Sequence, residues 1–102
     1  MGKEEILKKV KKVIFKVYPS ATIILYGSRA RGDFRKYSDW DLLVLVRKQT
    51  NENQINEIFD NLFELELESD QIFSPIIHNV SEWEKLKITS FYQNVQNEGI
   101  QI

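Results

Sequence analysis

Asp39 and Asp41, separated by one residue, stand at the front of an apolar run, WDLLVLV, that reads as a β-strand. Alternation along a strand turns both side chains to one face, with their Cα atoms roughly 6–7 Å apart. Carboxylates so placed can share hard cations. Mg²⁺ suits them, because it keeps several waters and binds phosphate through one or two carboxylates. Two such ions about 3.5–4 Å apart can steady the entering and leaving oxygens of an in-line phosphoryl displacement. Trp40, between the two acids, must face the other way and belongs to the core.

A second group lies just upstream, where Gly27-Ser28 closes a short β-rich run, TIILY. Gly27 has no Cβ, so the chain can turn sharply there and a ligand can come close. Ser28 stands where a helix could begin, and its hydroxyl and the following N–H groups could hold phosphate oxygens. Arg29, Arg31, Arg35 and Lys36 add positive charge around that point, some of it available to neutralise a triphosphate. The predicted nucleotide-binding residues are Gly27, Ser28, Arg29 and Arg31. The predicted catalytic and metal-holding residues are Asp39 and Asp41.

Gly27-Ser28, ten intervening residues, then Asp39-x-Asp41 resembles the Gly-Ser/Asp-x-Asp signature of the DNA polymerase β nucleotidyltransferase superfamily. Size and flanking elements are similar to its minimal nucleotidyltransferase (MNT) branch, which includes the MntA-type antitoxins. The resemblance implies a nucleotidyltransferase fold over residues 1–102 as a single domain. It also implies Mg²⁺-dependent transfer of a nucleoside monophosphate, AMP from ATP first, to a hydroxyl of a partner. Relatives of this kind pair with a small helical HEPN-type toxin, and some modify one of its tyrosines. The family pattern supplies a third carboxylate from the following strand. Here that strand reads QIFSPII, with Ser74 at the aligned position. Serine is neutral, a poor Mg²⁺ ligand and a poor general base. Glu66, Glu68 and Asp70 could replace it only if the strand began earlier than expected.

Two readings of function follow. One is an enzyme that transfers nucleotide to a partner protein. The other is a binding module that keeps the fold, lacks strong catalysis and neutralises its partner by occlusion. The absent third acid is the sequence feature that separates them.

The elements that must position these residues are legible in the hydrophobic pattern. Lys3 to Val17 reads as a helix, with Ile6, Leu7, Val10, Val13, Ile14 and Val17 on one face and lysines on the other. Thr22–Tyr26 and Trp40–Val46 read as strands, joined by a link too short for a parallel crossover and therefore antiparallel. Asn51, with Gln54 three residues on, predicts the cap of a helix whose buried stripe is Ile55, Ile58, Phe59, Leu62 and Leu65. Residues 71–77 read as a third strand, with Pro75 favouring an edge position. Ser81 with Glu84, and Ser90 with Gln93, predict the starts of two further helices, the last ended by Gly99. The expected fold is α/β (α+β): a small mixed sheet of about three strands with helices packed on it.

Composition bounds the rest. The 102 residues carry a net charge of −1 and no cysteine, so disulfides, thiolate metal sites and a cysteine nucleophile are excluded. The near-neutral balance argues against nucleic acid as a partner. His78 is the lone histidine and cannot build a zinc site without cysteines. No run has membrane-spanning length, and a cytoplasmic location is expected.

Overall fold

The computed structural model describes residues 1–102. The chain runs α1 (Lys3–Val17), β1 (Thr22–Tyr26), α2 (Ser28–Arg31), β2 (Trp40–Val46), α3 (Glu52–Ser69), β3 (Phe73–Asn79), α4 (Val80–Glu84), α5 (Ser90–Glu98) and β4 (Ile100–Gln101). Four strands form one mixed sheet in the order β3-β2-β1-β4. The expected count of three omitted β4, a two-residue strand too short to carry an alternation signal. It pairs antiparallel with β1 through Ile24↔Gln101 and Leu25↔Ile100.

The central strand β2 is apolar on both faces because both are covered, with Leu42, Leu43 and Val44 fully buried. On one face, Trp40, Leu42, Val44 and Val46 join Ile23 and Leu25 of β1 under α1 and α3. On the other, Leu43 packs with Trp83 of α4 and with Tyr92 and Val95 of α5. β2 runs antiparallel to β1 and parallel to β3, and one row across the sheet aligns Tyr26, Asp41 and Ser74.

The caps explain where helices begin. The Asn51 side chain accepts the Gln54 N–H at 2.8 Å, as its spacing predicts. The two later caps are displaced from expectation. A capping box forms between Asn79 and Glu82 rather than Ser81 and Glu84, and Thr89 rather than Ser90 accepts the N–H at the start of α5. In both cases an equally good oxygen side chain stood one or two residues earlier, and propensity alone does not choose between them.

β3 begins two residues later than expected and occupies a sheet edge, as Pro75 requires. Its edge groups are engaged locally: the Phe73 N–H donates to Glu66 Oε2 at 2.8 Å and the Asn79 N–H to Glu82 Oε1 at 3.3 Å. No helix is long and apolar enough to cross a membrane.

Candidate active site

The site forms where β1 ends and β2 begins, on the sheet face covered by α4 and α5. Asp41 is the first polar residue of β2 on that face, and it sits opposite Tyr26 in the antiparallel register. The next residue of β1's chain is Gly27, with φ +74° and ψ −160°. That backbone region is essentially reserved for glycine. A second reason excludes a side chain: a Cβ at this point would lie 2.2 Å from Asp41 Oδ2. The Asp41 carboxylate therefore fills the space that Gly27 leaves open, which places an acid against the Gly-Ser bend. Ser28 follows as the first, half-buried residue of α2.

Asp39 lies one residue before β2 and is exposed. The Ser74 hydroxyl donates to Asp39 Oδ2 at 2.9 Å. Ser74 thus stands beside both aspartates, at Asp41 in register and at Asp39 by hydrogen bond, and the adjoining position of β3 is not acidic. Two of the three upstream acids are used elsewhere. Glu66 holds the Phe73 N–H, and Glu68 pairs with Lys9 of α1.

Burial, followed by the charges of Asp39 and then Glu98, raises the Asp41 carboxyl above the ordinary carboxylate value, opposed by Arg31. Unneutralised negative charge at this point is what a divalent cation would relieve. No three His, Asp or Glu side chains converge on one point as a metal cage. The donor set fits Mg²⁺, which takes few protein ligands and fills its shell with water and phosphate oxygens. Tyr26 is also perturbed, its phenol pushed up to about 12 by burial and by the Asp41 charge. Its ring meets Phe91 edge-on at 5.5 Å.

The two predicted arginines separate in role. Arg29 does not face the bend as a phosphate ligand. Its side chain is buried, 7% exposed, with its guanidinium 4.5 Å from the Trp40 ring centroid and 4.3 Å from that of Phe34. It donates to the carbonyl oxygens of Ser38 and Lys36 and to Gln71 Oε1, and Gln71 Oε1 also takes the Trp40 indole N–H at 2.8 Å. Planarity and weak hydration let a guanidinium stack and donate at once, so Arg29 ties the loop before Asp39 onto Trp40. Arg31 remains at the site. It is half-exposed and donates to Glu98 Oε2 at 3.0 Å and to Asp33 Oδ2 at 3.3 Å.

Glu98, at the end of α5, was not visible in the sequence reading. Its Oε1 accepts the Gly27 N–H at 3.0 Å. The signal that could have found it is indirect: an acid next to a helix-ending glycine, followed by an apolar pair able to return to the sheet.

Residues 5–102 match the nucleotidyltransferase domain family. A candidate protein adenylyltransferase of Methanocaldococcus jannaschii is 34% identical over 100 residues, covering 96% of each chain. The chain belongs to the nucleotidyltransferase domain family. Solved structures agree on the nucleotidyltransferase fold. A chain of a toxin–antitoxin crystallised with AMP-PNP superposes with a TM-score of 0.64 at 20% identity, covering 98% of this chain and 72% of that one. A chain of a mutant MntA–HpeT toxin–antitoxin gives 0.60 at 21% identity, covering 100% and 72%. Within this nucleotidyltransferase, Asp41 lies against the bend at Gly27, the Ser74 hydroxyl ties Asp39 to β3, and Arg29 belongs to the scaffold.

Proposed function

We propose that the chain transfers AMP from ATP to a hydroxyl of a partner protein, a tyrosine of a small helical HEPN-type toxin first. The observation that carries this is the seat of Asp41 in the space left by Gly27, which brings a carboxylate against the proposed phosphate-holding bend. Asp39 and Asp41 would hold Mg²⁺, and Ser28 and Arg31 would hold the β- and γ-phosphates at the bend that Gly27 makes, its own N–H being given to Glu98. Bound Mg²⁺ supplies charge neutralisation to the triphosphate and its leaving group. The acceptor oxygen attacks the α-phosphorus, the bond to the β-phosphate oxygen breaks, pyrophosphate leaves and the hydroxyl proton passes to solvent. Toxin–antitoxin complexes among the structural neighbours, one of them with AMP-PNP, support the choice of nucleotide and partner class.

Ser74 favours a second reading, in which catalysis is weak and the partner is neutralised by occlusion. It supplies no charge and no base at the point where β3 meets the two aspartates. ATP labelled at the α-phosphate, mixed with Mg²⁺, this chain and the protein encoded next to it, separates the two. Label on the partner that disappears in an Asp39→Asn, Asp41→Asn double variant establishes transfer. Neutralisation that persists in that variant establishes occlusion, and absence of label with the native chain refutes the enzyme reading.

A further inference from the structure

We propose that Glu98 is a positioning residue for nucleotidyl transfer, holding Arg31 and the Gly27 backbone in the geometry that receives the triphosphate. This rests on the nucleotide reading of the site given above.

The last helix delivers this carboxylate to the motif for a simple topological reason. The Gly99 N–H closes α5 on Val95 O at 2.7 Å, and the chain then returns to the sheet as β4 beside β1. The Ile102 N–H donates to Ile23 O at 3.0 Å and locks that return. Glu98, the last residue before the turn, is thereby set next to the C-terminal end of β1, where Gly27 follows.

Its two oxygens divide their work. Oε1 takes the Gly27 N–H and Oε2 takes Arg31 Nη1, each at 3.0 Å. A structural tie between α5 and the sheet would need only one of these bonds. With Asp33 on Nε, Arg31 is gripped on two edges of its fork, and Nη2 has no intramolecular partner. A guanidinium so held is oriented before ligand arrives, which removes the ordering cost of a long side chain from the binding step. The Glu98 side chain is only 22% exposed, so its bonds are less screened than a surface pair. The charge of Glu98 is also felt at Asp41, together with those of Asp39 and Arg31.

The test is a titration of the full chain with a fluorescent ATP analogue and Mg²⁺, run on the native protein, Glu98→Ala, Glu98→Gln, Arg31→Ala and the Glu98→Ala, Arg31→Ala pair. Glu98→Ala is expected to weaken binding about tenfold, because removing both of its bonds leaves Arg31 and the bend to be ordered by the ligand. Arg31→Ala should cost a similar factor, and the pair little more than either single change, because each removes the same unit. Glu98→Gln keeps an acceptor for Gly27 and should recover part of the loss. The Gly27 amide should lose exchange protection in Glu98→Ala and keep it in Glu98→Gln, whether or not nucleotide binds. Native affinity in Glu98→Ala, tighter binding in it, or losses that multiply in the pair would each overturn the inference. A native chain that binds no nucleotide refutes the nucleotide reading itself. A native chain that binds, with variants unchanged, refutes only the role given to Glu98.

Discussion

Replacing Gly27 with alanine separates two effects that the structure places at one atom. The first is backbone strain: φ +74° with ψ −160° costs a non-glycine residue about 1–3 kcal/mol. The second is displacement, since the new methyl would lie 2.2 Å from Asp41 Oδ2, closer than real Cβ contacts allow. Asp41 must rotate away, and its carboxylate then no longer lies against the bend. Gly32 supplies the control. It too has positive φ, +91°, but a Cβ there meets nothing within 4 Å. Gly32→Ala should therefore cost about 1–2 kcal/mol of backbone strain alone. At about 4–8 °C per kcal/mol for a domain near this size, both variants should melt measurably below the native chain. Only Gly27→Ala should lose Mg²⁺-dependent ATP binding, by at least tenfold in calorimetric titration. If Gly27→Ala binds Mg-ATP like the native chain, or if Gly32→Ala loses binding equally, the packing of Asp41 against this bend does not create the nucleotide site.

Three further outcomes are expected. The raised Asp41 value means that ionising this group costs the ligand-free fold: its contribution is fully present below the unfolded carboxylate value and is lost as pH rises through the higher folded value. Asp41→Asn should then melt slightly above the native chain at neutral pH without Mg²⁺ while abolishing transfer; a lower melting temperature there would contradict the assignment of that charge as unrelieved. Arg29→Ala should destabilise by about 2–3 kcal/mol in chemical denaturation, because it strands the Ser38 and Lys36 carbonyls and uncovers Trp40, and Arg29→Lys should not restore it. Ser74→Asp places an acid beside both aspartates, so it should raise the transfer rate at saturating Mg²⁺ by about 10²-fold if a missing base limits the chemistry. An unchanged rate would locate the limitation elsewhere.

Much of this architecture is written in the periodicity of the chain. The stripe of α1, the short TIILY strand and the doubly apolar β2 each lie within the expected bounds, because hydrophobic burial dictates them directly. The spacing of Gly27-Ser28 and Asp39-x-Asp41 was legible because turn and strand together set Asp41 against Gly27, while Asp39 sits one residue before β2. What escaped was non-local. Arg29 looked like any loop cation, and only the folded chain shows it stacked on Trp40. Glu98 is contiguous with nothing in the motif and reaches Gly27 across 71 positions of sequence. The two displaced caps show a different limit, where neighbouring Asn, Ser and Thr residues are equally able to accept and the packing of the helix decides.

The outer margin of β3 bears on how the molecule can meet other chains. Donors at residues 73, 75, 77 and 79 point to the same side of the strand. Phe73 and Asn79 have theirs taken by glutamates, and Pro75 has none to offer. Ile77 alone cannot template an added strand, and at the opposite border β4 is two residues long. Ribbon-to-ribbon growth is thus disfavoured on both flanks. A protein that joins this domain meets side chains and helical surfaces more readily than a place in its ladder.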